Sequence, residues 1–152
     1  MQTAVFPGSF DPVTRGHESI VKRALPLFDR IVVAIGVNRT KKCMFSPEQR
    51  QDWLEQIFAN SPQVEVCTYE GLTVEFCRKV EASYLLRGLR GCADLEYERD
   101  IAMMNRKLHT GIETIFLPAD PELMAIKSSI VRDILANGGD VSQFLPEGIT
   151  LP

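Results

Sequence analysis

Five groups of polar side chains could bind phosphate, and they lie in the segments that follow four of the apolar runs of the sequence. Ser9 follows Pro7-Gly8, and His17 ends the stretch Thr14-Arg15-Gly16-His17. Hydroxyl, imidazole, ammonium and guanidinium groups can all donate hydrogen bonds to phosphoryl oxygens, and arginine does so in pairs. The remaining groups are Asn38-Arg39-Thr40-Lys41-Lys42, Arg87-Gly88-Leu89-Arg90-Gly91 and Lys127-Ser128-Ser129. Taken together, the five groups predict a polyphosphate site.

Each of these groups has a plainer structural explanation when it is read alone. His17 could cap the first turn of a helix, residues 38–42 could be a solvated loop, and Ser128-Ser129 could cap another helix. The three carboxylates within residues 94–98 suit a helix start, where they offset the helix dipole. G-x-S-x-G, P-loop and G-x-G-x-x-G motifs are absent from the sequence, so nothing in it suggests covalent catalysis or a dinucleotide fingerprint.

Short apolar runs alternate with longer amphipathic stretches along the chain. The runs, interpreted as five strands, are residues 3–6, 31–37, 64–67, 84–86 and 114–117. The helical stretches are residues 17–28, a segment that begins at Ser46-Pro47, and residues 72–80, 94–108 and 128–136. This alternation predicts an α/β fold with a Rossmann-like, doubly wound, five-stranded parallel sheet. Such sheets bind ligands at the carboxyl ends of their strands, where the strand order reverses.

The composition sets further limits on the class of protein. The chain has 152 residues, of which 45% are hydrophobic and 24% are charged, so we expect one globular domain over residues 1–152. Seventeen Lys and Arg against twenty Asp and Glu give a net charge of −3, which argues against nucleic-acid or membrane binding. With no signal peptide pattern and no run of 18 apolar residues, we expect a soluble, cytoplasmic protein.

The four cysteines do not form a recognisable metal or redox motif. Cys43, Cys67, Cys77 and Cys92 lie far apart, without a C-x-x-C pair and without histidine at ligand spacing. We therefore expect no zinc site, no metal-ligand cluster of the protein's own, and four reduced thiols.

With these residues in place, the sequence resembles the bacterial phosphopantetheine adenylyltransferases, which are nucleotidyltransferases with an (H/T)-x-G-H signature. The resemblance runs in order across nearly the whole chain and is highly specific as a set. The matching stretches are Phe-Pro-Gly-Ser-Phe-Asp-Pro at residues 6–12, Thr14-Arg15-Gly16-His17, and residues 41–45, 70–72, 86–90, 94–98, 104–106 and 128–132.

The resemblance implies a reversible reaction in which ATP and 4′-phosphopantetheine give dephospho-coenzyme A and pyrophosphate. The acceptor phosphate attacks the α-phosphorus directly, with no enzyme nucleophile. The resemblance further implies dependence on Mg²⁺, assembly as a homo-hexamer and feedback binding of coenzyme A.

The resemblance also assigns roles to individual residues. The catalytic set it implies is His17, Lys41, Arg90, Ser128 and Ser129. The implied acceptor-binding residues are Ser9, Lys41, Thr73 and Arg87. The implied ATP-binding residues are Ser9, Phe10, His17, Gly88, Leu89, Arg90, Glu98, Leu123, Met124, Ala125, Ile126, Lys127, Ser128 and Ser129.

The sequence departs from the family at three places. Lys127 replaces a serine, and the adenine side carries Leu123-Met124 where the family often has an aromatic residue. The chain ends at Thr150-Leu151-Pro152, before most of the family's last helix. Two alternatives stay open: a related transferase that acts on nicotinamide mononucleotide or an alcohol phosphate, and a nucleotide-binding regulator without turnover.

Overall fold

Strands and helices alternate through the computed structural model, which describes all residues 1–152. Two single 3₁₀ turns, Leu25–Leu27 and Ser142–Phe144, complete the regular structure. In chain order the strands and helices are β1 (Thr3–Gly8), α1 (Arg15–Ala24), β2 (Arg30–Gly36), α2 (Pro47–Ile57), β3 (Val64–Tyr69), α3 (Thr73–Lys79), β4 (Tyr84–Leu89), α4 (Cys92–Leu108), β5 (Glu113–Pro118) and α5 (Ser128–Ala136).

All five strands pair in parallel, in the order β3-β2-β1-β4-β5. The strand order therefore reverses between β1 and β4, where a doubly wound sheet binds its ligands. Alternate residues of β1 face opposite sides of the sheet, and Ala4 and Phe6 join a buried cluster of 20 residues. Val5, on the other face, joins a second buried cluster of 8 residues. This architecture confirms the predicted fold class.

The helix boundaries follow local chemistry. The predicted start of α2 is confirmed: the Ser46 hydroxyl accepts a hydrogen bond from the Gln49 amide at 3.1 Å, and the Gln49 side chain accepts one from the Ser46 amide at 3.1 Å. The first helix, predicted over residues 17–28 with Pro26 expected to end or kink it, starts earlier than predicted, and the expected effect of Pro26 is confirmed. The helix begins at Arg15, after the N-cap Thr14, and ends at Ala24 because Pro26 cannot continue the backbone hydrogen bonds.

The strands extend further than the apolar runs indicate, and this changes where the site residues lie. β1 continues through Gly8 and β4 through Leu89, so Arg87 lies inside a strand instead of after it. Short runs mark only the most buried part of a strand, since the ends of β1 (Pro7-Gly8) and of β4 (Arg87-Gly88-Leu89) are half-buried.

The sheet opens at its centre toward the carboxyl ends of the strands. β1 pairs with β2 as far as Gly8, but its pairing with β4 stops at Val5 and Leu85. Pro7 has no amide hydrogen to give to β4, and its carbonyl oxygen accepts a hydrogen bond from Arg87 Nη1 at 2.8 Å instead. A guanidinium group therefore spans the gap between the two strands. None of the helices is both long and apolar enough to cross a membrane.

Candidate active site

Two clefts meet where β1 and β4 part. The wide cleft has a volume of about 870 Å³ and extends past Tyr69, Thr73 and α4. The narrow cleft has a volume of about 350 Å³ and extends past His17 toward the start of α5. Both clefts share one stretch of wall, which we call the junction, and its residues are Pro7, Gly8, Ser9, Lys41, Arg87 and Glu98.

The junction gathers a hydroxyl group and two cations. Lys41 Nζ, from the loop after β2, donates a hydrogen bond to Ser9 Oγ at 3.2 Å. Arg87, from β4, donates through Nε and Nη2 to the Glu98 carboxylate at 2.9 and 2.6 Å. Ser9 and Arg87, which are 78 positions apart in the sequence, thus meet Lys41 at one point, as predicted.

Glu98 lines both clefts, and its role in ATP binding stays a prediction. It lies in the second turn of α4, only 8% exposed, with both carboxylate oxygens bound by Arg87 instead of facing the narrow cleft alone. Compensation of the helix dipole does not explain it, since that effect fades beyond the first turn. Removing one partner of a buried ion pair destabilises a protein by about 3–5 kcal/mol. The buried carboxylate of Glu98 therefore favours the conformation of Arg87 in which the two groups stay paired.

His17 is held in one tautomer. Its Nδ1 accepts a hydrogen bond from the Thr14 amide at 3.0 Å, so the ring proton must lie on Nε2. The ring packs edge-on against Phe10, with the ring centres 4.9 Å apart. Burial, followed by the charges of Arg87 and Arg90, lowers the pKa of His17 from 6.5 to about 4. His17 therefore both caps α1 and reaches the narrow cleft as a neutral hydrogen-bond donor.

Arg90 stands at the mouth of the narrow cleft beside Asp94. Its Nε and its backbone amide both donate to Asp94 Oδ2 at 3.1 Å. Burial would raise the pKa of Asp94, but these hydrogen bonds and the charges of Arg90 and Lys127 outweigh it and lower the pKa. The carboxylate stays ionised and orients Arg90, whose two terminal nitrogens make no hydrogen bond within the chain.

The start of α5 forms the far end of the narrow cleft, and the predicted serine cap is wrong. The N-cap is Lys127, whose side chain makes no capping hydrogen bond. The Ser128 hydroxyl instead donates to the Pro12 carbonyl at 2.8 Å and ties α5 to the loop after β1. The first amides of a helix lack partners inside it and carry its positive dipole end, so this end of the cleft suits an anion.

Most of the predicted site residues line the clefts. Thr73 lines the wide cleft, where its hydroxyl lies 2.8 Å from that of Tyr69. The narrow cleft is lined by Ser9, Phe10, His17, Gly88, Arg90, Glu98, Leu123, Ile126, Lys127, Ser128 and Ser129. Three predicted ATP-binding residues line neither cleft: Leu89, Met124 and Ala125. Leu89 is the last residue of β4, in register with Pro118, and Met124 is 42% exposed.

Several residues of the clefts received no role from the sequence. Asp11 is 3% exposed, and its carboxylate accepts hydrogen bonds from the Met44 and Phe45 amides, both at 2.9 Å. Arg132 lines the narrow cleft and donates to the Asp11 carbonyl at 2.6 Å. The face of α4 toward the wide cleft was also missed, and its residues are Tyr97, Ile101, Ala102 and Asn105. An acid buried within a loop and a helix face toward a cleft are tertiary features without a local pattern.

Comparison with known proteins agrees with this geometry. The cytidylyltransferase-like family model matches residues 5–134. A bifunctional NMN adenylyltransferase/ADP ribose pyrophosphatase from Francisella tularensis shares the fold, with a TM-score of 0.72 at 16% identity over 95% of this chain and 44% of that chain. The fold and the site thus define a nucleotidyltransferase of the cytidylyltransferase-like class.

Two curated relatives narrow this class. The phosphopantetheine adenylyltransferase of Flavobacterium psychrophilum is 52% identical over 149 residues, which is 98% of this chain and 98% of that protein. The phosphopantetheine adenylyltransferase of Phocaeicola vulgatus is 50% identical over 151 residues, 99% of each chain. The chain belongs to the phosphopantetheine adenylyltransferase family.

The environment of His17 has a measurable pH dependence. Between pH 6.5 and about 4 the unfolded chain binds a proton on this ring that the folded chain does not, so the free energy of unfolding falls as the pH falls through this range. We expect the imidazole signals of His17 in NMR to titrate with a midpoint near pH 4. We further expect His17→Asn to lose less stability than the wild type between pH 6.5 and 4. A midpoint near the ordinary 6.5 would contradict the described environment.

Proposed function

We propose that the protein transfers AMP from ATP to 4′-phosphopantetheine, giving dephospho-coenzyme A and pyrophosphate in a reversible reaction of coenzyme A synthesis. The observation that carries this proposal is the cationic junction shared by two clefts of different size. A transfer between two bound phosphates needs such a meeting point, because the attacking oxygen and the α-phosphorus must be brought together. The relatives' name supports this choice of acceptor.

The two clefts suit the two substrates. The wide cleft offers Lys41 and Arg87 at one end for a phosphate, and Tyr69, Thr73 and Ile101 along its length for a long arm with apolar and amide groups. The narrow cleft offers His17, Arg90 and the amides at the start of α5 for a triphosphate. ATP in the narrow cleft would then place its α-phosphate at the junction.

The chemistry we propose is one displacement. An oxygen of the acceptor phosphate forms a bond to the α-phosphorus, the bond from that phosphorus to the bridging oxygen breaks, and pyrophosphate leaves with the electron pair. Lys41 and Arg87 hold the acceptor phosphate, while Nε2–H of His17 donates to an α-phosphate oxygen as charge builds there. Arg90, Ser128 and Ser129 hold the phosphates that leave. Positioning and charge stabilisation supply the catalysis.

We propose that Mg²⁺ takes part as a companion of ATP. The chain has no cluster of three His, Cys, Asp or Glu side chains able to hold a metal ion, so a site made by the protein alone does not fit. Magnesium commonly keeps several waters and binds through substrate phosphates, which does fit the narrow cleft. Bound there, it would neutralise phosphate charge during the transfer.

We also propose a homo-hexamer with feedback binding of coenzyme A. Helix α4 exposes an apolar stripe with spacings of four, three and four residues, formed by Tyr97, Ile101, Met104 and Leu108, and such stripes mark protein contacts. Coenzyme A carries the same pantetheine arm and adenylate as the two substrates, so it would occupy both clefts. Sedimentation equilibrium tests the assembly, and competition by coenzyme A against phosphopantetheine tests the feedback.

Four free cysteines support a reducing, cytoplasmic location, which cell fractionation tests.

A pyrophosphate-release assay across several acceptors tests the function directly. We expect release with ATP and 4′-phosphopantetheine, none with either alone, and loss of the reaction when EDTA removes divalent cations. Nicotinamide mononucleotide and simple alcohol phosphates serve as the competing acceptors. Faster release with one of these than with phosphopantetheine would overturn the acceptor, and no release with any would support the regulator without turnover.

His17→Ala should act on the chemical step. Its hydrogen bond matters most as charge builds on the α-phosphate, so we expect kcat to fall roughly 100- to 1,000-fold. The Kd for ATP should change by less than about threefold, because the phosphates keep their other partners. A weaker Kd with unchanged kcat would assign His17 to ground-state binding only.

Lys41→Ala should act on acceptor binding, with Lys42→Ala as a matched control. Lys41 lines both clefts, whereas Lys42 carries the same charge next to it and lines neither. Loss of a charged hydrogen bond should raise the KM for phosphopantetheine roughly 10- to 100-fold, with little change in the KM for ATP. If the KM for ATP rose instead, the assignment of the two clefts would be reversed.

A further inference from the structure

One buried cation lies behind the junction and lines neither cleft. Arg50, in the first turns of α2, is only 2% exposed. Its guanidinium forms none of the ion pairs of the structure. Burying a charge without a counter-ion is unfavourable, so a neutral residue would suit the core better unless the guanidinium has a task.

Arg50 donates a hydrogen bond to a residue of the junction. Nη1 donates to the Ser9 carbonyl at 2.7 Å, and Nε donates to the Ser46 carbonyl at 3.3 Å. The side chain therefore bridges the loop after β1 and the N-cap of α2. A planar guanidinium can reach two carbonyls at once with fixed directions, which an ammonium group cannot do in the same way.

The loop that Arg50 holds has an unfavourable backbone. Phe10, directly after Ser9, has a φ of 49° in the left-handed region, which side chains other than glycine rarely adopt. Its ring folds back over Gly8, where an added Cβ would come within 3.0 Å of the ring. Such a conformation persists only when neighbouring groups hold it.

Phe10 connects this turn to the reacting end of the narrow cleft. Its ring is 2% exposed and packs edge-on against His17, with the ring centres 4.9 Å apart. The Ser9 hydroxyl, on the other side of the turn, receives the hydrogen bond of Lys41. One short turn thus sets the positions of Ser9, Lys41 and His17 relative to one another.

A second set of hydrogen bonds connects the same two segments, this time through a side chain of the loop after β1 and backbone groups before α2. The Asp11 carboxylate accepts hydrogen bonds from the Met44 and Phe45 amides, just before the N-cap Ser46. Arg50 thus reaches from α2 to Ser9, while Asp11 reaches from the loop of Ser9 to the residues before α2. Only the Arg50 link acts directly on the carbonyl of the strained turn.

We propose that Arg50 is a positioning residue for the transfer, which holds the Ser9–Phe10 turn so that the Ser9 hydroxyl, Lys41 and the His17 ring keep their relative places. Its effect on kcat rests on the proposed function, whereas its effect on the turn does not. A small misplacement of reacting groups can cost up to about a hundredfold in rate, so the effect should fall on kcat.

Two substitutions test this proposal, R50K and R50Q, with R30K as a matched control. R50K keeps the charge but not the two-carbonyl geometry, and R50Q removes the charge as well. Arg30 lies at the first residue of β2, at the opposite edge of the sheet, where Nη1 donates to the Val80 carbonyl at 3.0 Å. Arg30 also donates through Nε and Nη2 to the Glu65 carboxylate at 2.9 and 2.6 Å, so R30K reports what the loss of a hydrogen-bonded guanidinium away from the site does to stability.

We expect R50K and R50Q each to lower kcat roughly 10- to 100-fold, with the KM for ATP changed by less than about threefold. We also expect both to shift the imidazole signals of His17 in NMR spectra of the free protein, where only two histidines need assignment. R30K should lower Tm without lowering kcat and without shifting the imidazole signals of His17. If R50Q does not fold, R50K supplies both readouts.

Either readout can overturn the proposal. If kcat of R50K stays within about twofold of the wild type, or the His17 signals stay in place in both variants, Arg50 has no positioning role. A normal R50K beside an impaired R50Q would likewise overturn it, because charge and not geometry would be at work. If the wild type itself fails to transfer AMP to phosphopantetheine, the proposed function fails and the His17 signals decide the role of Arg50.

Discussion

The site depends on the parting of two parallel strands. β1 and β4 pair only as far as Val5 and Leu85. Beyond that point Pro7 has no amide hydrogen with which to continue the hydrogen bonds between the strands. Arg87 spans the resulting gap, bound to the Pro7 carbonyl on one side and to Glu98 on the other. The gap connects the two clefts, and the cation that spans it belongs to both.

The electrostatics of the site follow from how its cations are paired. Arg87 and Arg90 each carry a carboxylate partner, and His17 stays neutral, so the ligand-free site avoids a large excess of positive charge. Lys41, Lys127 and the first amides of α5 supply attraction for an anion. A protein with a net charge of −3 can therefore bind polyanions at one place without a general affinity for nucleic acids.

The sequence predicts the fold and much of the site, because both follow from local patterns. Apolar runs and helical spacing place the strands, and parallel topology then brings Ser9, Lys41 and Arg87 to one edge. Prediction from the sequence fails where contacts between residues of different elements determine the position of a side chain. Ser128 donates a hydrogen bond to the carbonyl of Pro12, far away in the chain, instead of capping α5. Glu98 on α4 binds Arg87 on β4, a contact between two different elements. The ATP-binding roles of Leu89, Met124 and Ala125 come from the family resemblance and stay predictions, since these residues line neither cleft.

The amide of Thr14 has a consequence for how the reaction would respond to acidity. Since this amide occupies Nδ1 and the ring does not gain a proton until about pH 4, the imidazole keeps one fixed form across the whole neutral range. In the free protein it therefore neither takes up nor releases a proton across this range. A phosphate monoester, in contrast, loses its second proton near pH 6. A rise of the rate through mildly acidic solution would then be expected from the incoming phosphate, which becomes a better nucleophile as it ionises.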